Sequence, residues 1–574
     1  MTTVTDKPHM AHIVACKARK LKLSHMITSA VLLLIGWLTL GPLALLVWST
    51  IWDGEQLTSE AFVRAYTAGG LSRMTVDTLI YAVGTTVLAV TSGTVLAYLT
   101  ARTNMPFKKL AIAASLVPLV TPQVLYTIAW IYLGSPRVGL ISAWISPIFG
   151  EGAFDIFSMW GMILVEGLHM APLVFLLMYA AFKSMDPSLE ESALMSGASR
   201  LTTVRKVTTP LAAPALYASL LVIFVRGIES FEVPALIGLP DGIIVFMSRI
   251  WRALSVFPQD QALAGAYSLG ILLLTAVGIY WYSRLTSQKG TSYQTVTGKG
   301  FRPHAMDLGG GRWPAAAGVL VYFIIAVVLP FFILLYGSTQ EYYTVPTWDS
   351  LTNPTFHHYV EAFSRDSTLR AFRNSIVLAV MTATTVMLVM AVASWMVVRT
   401  KVRGRWLIDL LAFLPFAVPG LVMGLAILII YLRVPLPIYG TIWIIFLAYF
   451  TRFMPYGMRY VTTSMHQISA ELEESAQTSG ATWVQTFRRV ILPLIMPGMI
   501  AGWIYVISVS LRELASSLLL YSPGNEVLAI EIWNLWENGY FPAVAALGVL
   551  MTILLMVMIY IARRIGGRFG VSEL

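Results

Sequence analysis

The sequence predicts an all-α polytopic membrane protein whose roughly twelve transmembrane helices form two parallel six-helix repeats. Three observations carry this. The 574 residues are 57% hydrophobic and 12% charged, with a mean hydropathy of +0.73, well outside the composition of soluble globular chains. The apolar residues gather in runs long enough to cross about 30 Å of hydrocarbon. A polar segment, Glu190 to Pro214 (EESALMSGASRLTTVRKVTTPLAAP), returns as EESAQTSGATWVQTFRRVILPLIMP, Glu473 to Pro497.

The apolar runs fall at 26–48, 75–100, 108–133, 157–182, 212–240 and 263–284, then at 314–336, 373–398, 407–432, 441–463, 496–521 and 542–563. Residues 285–313, rich in Gly, Ser, Thr and Lys, bury no apolar area and read as a linker. The expected order is a tail at 1–25, a first lobe at 26–284, the linker at 285–313, a second lobe at 314–564 and a tail at 565–574. The first run follows Lys17, Arg19, Lys20 and Lys22. It is too long for a signal-peptide core and lacks a small-x-small cleavage site, so it reads as an uncleaved span.

The single cysteine, Cys16, excludes disulfides and thiolate metal clusters within one chain. The formal net charge of +10 does not point to a nucleic-acid partner, because the bases sit in short loops between apolar runs. Arg102, Lys108 and Lys109 share one side with Lys183, Arg200, Arg205 and Lys206. Arg399, Lys401, Arg403 and Arg405, and the tail bases Arg563, Arg564 and Arg568, fall there too. The positive-inside rule makes that side cytoplasmic, with both termini inside and a lipid bilayer as the chain's surroundings.

Glu191, Ala193, Gly197, Pro210 and Pro214 recur as Glu474, Ala476, Gly480, Pro493 and Pro497, each 283 positions on (191 to 474). Two copies of one unit have the same need. The repeat extends to ARTNMPFKKLAIAASLVPLVTPQV and VRTKVRGRWLIDLLAFLPFAVPGL, where Arg102, Pro118 and Pro122 match Arg399, Pro415 and Pro419 at an offset of 297 (102 to 399). The longer first half fits an extra external loop at 134–152. The paired prolines predict kinked or broken third and ninth spans.

Within the first island Asp186 reads as a helix N-cap and Pro187 as a first helical residue. Gly197 allows a turn that a side chain would hinder. A second short helix is expected from Ser199 toward Pro210, with Leu201, Val204 and Val207 along one stripe. Val484, Phe487 and Val490 stand at the matching places, and Arg205–Lys206 match Arg488–Arg489. The islands are thus helix–Gly–helix units at 186–210 and 469–493.

Each island resembles the EAA loop (Glu-Ala-Ala, three residues, Gly, nine residues, Ile-x-Leu-Pro) of ABC importer permeases. Both copies carry Glu-Ser-Ala, and they end in V-T-T-P (Val207 to Pro210) and V-I-L-P (Val490 to Pro493). From Met26 to Arg564 the chain resembles the fused two-lobe permeases of ferric-iron importers, including ESFEVPALIGLP from Glu229 and LRELASSLLLYSPG from Leu511. The resemblance implies a type I ABC importer permease fold in a bacterial inner membrane. It implies that Glu191, Ala193, Gly197, Pro210, Glu474, Ala476, Gly480 and Pro493 couple to a cytoplasmic ATPase, homodimeric or paired. It also implies an extracytoplasmic solute-binding protein that delivers ferric iron, with an aminoalkyl phosphonate or polyamine as alternatives. The phosphate-binding pattern G-x-x-x-x-G-K-[ST] does not occur in this sequence. ATP and Mg are therefore expected on the partner ATPase, with no cofactor bound by this chain and no catalysis by it.

Ionisable residues within spans cost several kcal/mol unless paired or facing water. The fifth run holds Arg226, Glu229 and Glu232, and the eleventh holds Arg512 and Glu513. These residues either line a translocation pathway or pair structurally. Arg226 and Glu229 are neighbours on a helix face. Arg512 and Glu513 diverge by about 100° on a helix, so each needs a partner on another span or an aqueous cavity. Acids suit a hard cation such as ferric iron, and equally a polyamine. His357–His358, in an external loop, reads as solvated rather than metal-binding. A secondary transporter with parallel six-span repeats is the alternative class. The Gly/Asp/Arg-rich loop which that class carries between its second and third spans is missing from ARTNMPFKK.

Overall fold

The computed structural model describes residues 7–67, 69–150, 152–287, 305–400 and 402–567. Most of the linker, the end of the C-terminal tail with Arg568, and Lys401 lie outside the described residues, as do the side chains of the N-terminal tail and of Arg563.

Among the described residues every regular element is a helix, with two isolated β-bridges and no sheet. Among the described residues nine helices are long and apolar enough to cross a membrane, and three further bent helix pairs bring the number to as many as twelve. Eleven of the expected runs coincide with these elements. The tenth forms the helix Ile442–His466, which carries Arg452 and Arg459 and is not among the nine.

The paired prolines act as expected. Helix Lys108–Val120 meets Gln123–Gly134 at 108°, and Arg405–Ala417 meets Gly420–Arg433 at 112°. Pro122 and Pro419 stand directly before the second helix of each pair. Proline has no N–H to continue the ladder and turns the preceding residue extended. A carbonyl freed at the first break is satisfied by a side chain, since Nε2 of His169 lies 3.2 Å from Thr121 O.

Two expectations need correction. The fifth and eleventh runs do not stay helical to 240 and 521. Their helices end at Glu229 and Leu511, with Ser230 (φ −62°, ψ 130°) and Arg512 (φ −104°, ψ 4°) directly after them. Past Leu511 the Glu513 carboxylate accepts from Ser516 N–H (3.0 Å) and Ser516 Oγ (2.9 Å), a local alternative to helical bonding. The third bent pair, Pro234–Asp241 with Phe246–Ser255 at 84°, occupies the end of the fifth run and the segment between it and the sixth.

The second correction concerns the islands. The helix starting at Arg200 does not stop at Pro210 but continues to Glu229, and its counterpart runs from Trp483 to Leu511. Each accommodates its first proline, Pro210 or Pro493, through a π-turn, Val204–Thr208 or Phe487–Ile491, in which Thr209 N–H bonds to Val204 O and Leu492 N–H to Phe487 O. The wider turn moves aside the carbonyl that the proline ring would strike.

By packing, the chain divides into two units. One comprises Met1–Trp48, Arg370–Ile530 and Leu555–Leu574, the other Ser49–Leu369 and Glu531–Leu554. The packing units are therefore not the two sequence halves: each takes in the first span of the other half. In the first unit Thr39 Oγ1 donates to Leu411 O (3.2 Å). In the second, Tyr126 Oη donates to Ala326 O (3.0 Å) and Tyr343 Oη to Tyr132 O (2.6 Å).

Each unit places an apolar core beneath its island. In the Ser49–Leu369 unit it is built from Ala89, Leu96, Val174, Met178, Phe182 and Ile223. In the other it is built from Met387, Trp395, Val461, Met465, Ile491 and Met499. Close approach comes from opposite sides. A Cβ at Gly93 would meet Ala171 O at 2.6 Å and Val174 Cβ at 2.7 Å, whereas a Cβ at Gly457 would meet Val386 Cγ1 at 2.6 Å and Met390 Cγ at 3.1 Å. Under the repeat offsets Gly93 corresponds to Met390 and Val174 to Gly457. The small residue has moved to the other helix, and the contact remains.

Candidate functional site

The islands are built alike. Helix Ser188–Met195 leads to Gly197 at φ +85°, and helix Ala470–Thr478 to Gly480 at φ +86°. Gly197 N–H bonds to Leu194 O and Ala198 N–H to Ala193 O, both at 3.0 Å, and Gly480 N–H and Ala481 N–H repeat the pattern on Gln477 and Ala476. This glycine-dependent C-terminal cap explains Gly197 and Gly480, and involves Ala193 and Ala476 through their carbonyls. Asp186 Oδ1 accepts from Ser188 N–H (2.9 Å), so the capping side chain is the expected one although Pro187 stands at the cap. Ser199 and Thr482 cap the next helices.

Glu191 and Glu474 point outward, exposed, as do Gly197 and Gly480. Leu189, Met195 and Leu201 are exposed on the first island, Leu472 and Val484 on the second. Pro210 and Pro493 lie on the long helices after the π-turns, exposed.

The residues just before the outward acids point inward. Glu190 Oε2 accepts from Arg102 Nη2 (2.5 Å) and Nε (3.2 Å), while Glu190 Oε1 accepts from Thr208 Oγ1 (2.5 Å). Arg102 Nη1 also donates to Met185 O at 3.2 Å. In the second island Glu473 stands 4.0 Å from Arg399 Nε and accepts from Trp395 Nε1 at 3.1 Å. Arg399 donates to Met465 O (2.9 Å) and to Ile468 O. Burial raises the Glu473 carboxyl above the usual carboxylate range, against the opposing pull of Trp395 and Arg399. Trp395 stacks on Trp483 (4.0 Å) and Phe487 (4.6 Å).

Of the span residues singled out in the sequence, Arg226 and Glu229 pair at 3.5 Å on one helix face. Glu232, half-buried, begins the helical turns leading into Pro234–Gly238. Arg512 and Glu513 are not on a helix, so the 100° divergence does not apply. Glu513 nevertheless finds a partner on the tenth run: Arg452 Nε lies 3.3 Å away.

Glu166 was not among the residues singled out in the sequence. It is fully buried, and its Oε2 is within reach of Tyr81 Oη (3.1 Å), Gln123 Nε2 (2.5 Å) and Ser230 Oγ (2.9 Å). Second span, third-span break, fourth span and the end of the fifth thus meet at one carboxylate. The signal available was a lone acid inside an apolar run. The 283-residue offset puts Tyr449 at its place in the other half, so the repeat did not flag it. Among the described residues no group of three or more His, Cys, Asp and Glu side chains is arranged to hold a metal ion.

These features define a duplicated multi-pass membrane protein with one matched polar island in each half. The profile of the family described as "Binding-protein-dependent transport system inner membrane component" matches residues 89–340 and 383–570. The chain belongs to this family: it is the permease component of an ABC importer, with a type I permease fold. Membership implies a cytoplasmic ATPase and a periplasmic binding protein as partners, and it removes the secondary-transporter alternative.

Among curated proteins the chain is 25% identical over 538 residues to a ferric transport system permease protein of Actinobacillus pleuropneumoniae, covering 92% of this chain and 76% of that one. It is 28% identical over 260 residues to a putative 2-aminoethylphosphonate transport system permease protein of Salmonella paratyphi A, covering 45% and 96%. It is 25% identical over 231 residues to a spermidine/putrescine transport system permease protein of Escherichia coli, covering 40% and 86%.

Proposed function

We propose that the two islands are the elements through which the ATPase drives this permease, and that the imported solute is ferric iron. The carrying observation is that both islands hold a glycine at φ +85° or +86° and turn the same acid outward. Two separate segments folded to present one face are suited to two equivalent partners, a pair of ATPase subunits. In this reading Glu191, Ala193, Gly197 and Pro210, with Glu474, Ala476, Gly480 and Pro493, form and present the coupling surface. The repeated lobes at 26–284 and 314–564 each supply one, with both termini and the 285–313 linker on the cytoplasmic side.

Replacing Gly197 or Gly480 with Trp tests this. A side chain at positive φ destroys the cap. Membrane insertion is expected to persist while uptake per ATP collapses. Unimpaired uptake in both variants removes the coupling role.

Ferric iron is favoured by the ferric-system relative, which matches along most of this chain, whereas the phosphonate- and polyamine-system relatives match less than half of it. Arg226, Glu229, Glu232, Arg512 and Glu513 are the pathway candidates, joined by Glu166. Carboxylate oxygens suit a hard trivalent cation. The decisive measurement is what the cognate binding protein binds. A protein that ignores ferric complexes and takes up 2-aminoethylphosphonate replaces the cargo without changing the permease.

A further inference from the structure

The first island rests on a buried ion pair that the outward acids conceal, and the second on a looser, largely buried one. Glu190 and Glu191 are adjacent, and so are Glu473 and Glu474. Neighbours diverge by about 100° on a helix, which sends one carboxylate of each pair out and the other in. The inward Glu190 reaches Arg102, the last residue of the second span. Arg102 also holds Met185 O, just past the end of the fourth span, and Glu190 also holds Thr208, in the π-turn that opens the fifth. The Arg102 and Glu190 side chains are 3% and 8% exposed. One buried junction therefore ties three spans to one island.

The second half repeats the plan with different parts. Arg399 ends the eighth span and holds Met465 O and Ile468 O at the end of the tenth, and Ile468 matches Met185 under the island offset. Glu473 lies farther from its arginine, at 4.0 Å, and takes its hydrogen bond from Trp395. The counterpart of Thr208 is Ile491, which has no hydroxyl to offer. The first junction is the tighter, with direct charge-assisted hydrogen bonds.

From this we infer that Arg102–Glu190 and Arg399–Glu473 are the positioning pairs that carry island movement into the second and eighth spans. Apolar contacts can slide, but a buried charge pair parts only by leaving each charge without its counter-charge. A displacement applied to the outer face of the island is therefore passed to the arginine and so to the foot of its span. The pairs differ in stiffness, so the two islands transmit unequally. This rests on the coupling reading of the islands.

The test is Glu190→Gln and Glu473→Gln in permease purified with its ATPase, reconstituted, and supplied with the cognate binding protein. Radiolabelled ferric iron is the probe, or 2-aminoethylphosphonate where ferric iron gives no wild-type uptake. Solute moved per ATP should fall by about tenfold for Glu190→Gln, roughly the charge-assisted share of one hydrogen bond, and by less for Glu473→Gln. ATPase should co-purify at the wild-type ratio, which a merely unfolded island would not allow. Arg102→Lys, which keeps the charge and loses the fork, should lie between.

Gly197→Trp runs alongside. A wild-type ratio in Glu190→Gln with uncoupling in Gly197→Trp overturns the junction and leaves the coupling reading intact. Normal transport in Glu190→Gln, Gly197→Trp and Gly480→Trp alike overturns the coupling reading itself. If Glu190→Gln does not assemble, Thr208→Val removes a single hydrogen bond to Glu190 and decides. A severalfold drop supports the junction, and no drop overturns it.

Discussion

Arg452 Nε lies 3.3 Å from the Glu513 carboxylate, and the same guanidinium covers Gly420, where a Cβ would collide with Nη1. The missing side chain at the start of the helix Gly420–Arg433 is thus the space that the arginine uses to reach its acid. Arg452→Leu leaves the largely buried Glu513 carboxylate with its Ser516 hydrogen bonds but without its cation, and should cost up to about 3 kcal/mol. Adding Glu513→Leu should recover much of that. Thermal unfolding in detergent measures both, and an additive double variant would show that the two residues do not interact.

Gly420→Ala is small in volume but should be costly in charge. The arginine tip is flexible enough to move, so the methyl will be accommodated and the ion pair lost. The expected loss approaches that of Arg452→Leu, and in an Arg452→Leu background Gly420→Ala should cost little further.

Gly93→Ala has no such escape, because its new methyl would meet the backbone at Ala171 O. The second and fourth spans must separate, and a loss of about 1–3 kcal/mol from overpacking is expected. Gly457→Ala meets side chains first, Val386 and Met390, and should be the milder of the two in the same unfolding assay.

Trp395→Ala removes the ring that stacks on Trp483 and Phe487, and the hydrogen bond to Glu473, from the second island. Loss of a buried Trp costs about 3–5 kcal/mol. Trp395→Phe keeps an aromatic ring against Trp483 and Phe487 but loses stacking area and the donor, and should cost less than Trp395→Ala.

The raised carboxyl of Glu473 gives a pH dependence of defined sign. The folded protein holds this proton more tightly than the unfolded chain. Its contribution is present below the ordinary carboxylate value of 4.5 and is lost as pH rises through the raised folded value. Glu473→Gln, a permanently neutral stand-in, should therefore gain in thermal midpoint relative to the parent as pH rises through that window. A constant difference across it would count against the burial effect.

Much of the architecture was legible because it depends on long-range composition and on proline and glycine. Pro122 and Pro419 act through chemistry that any environment leaves intact, so the breaks could be read directly. Gly197 and Gly480 were legible for the same reason. The buried Glu190 and Glu473 were overshadowed by the neighbouring acids that carry the recognisable pattern, since sequence alone does not say which of two adjacent glutamates faces inward. Glu166 and Arg452 escaped notice because their partners, Tyr81 and Gln123 in one case and Glu513 in the other, come from distant segments. The ends of the fifth and eleventh spans were misjudged because apolar content continues past Ser230 and Arg512 while the backbone turns away.

The reversed placing of glycine between Gly93/Val174 and Met390/Gly457 makes the halves poor donors of spare parts for each other. A chimaera that set the second span of one half against the fourth-span equivalent of the other would bring Gly93 opposite Gly457, leaving a void, or Met390 opposite Val174, forcing a collision. Duplicated chains of this kind are interchangeable only as whole contact pairs, so recombination between the halves is filtered at the level of the interface rather than the helix.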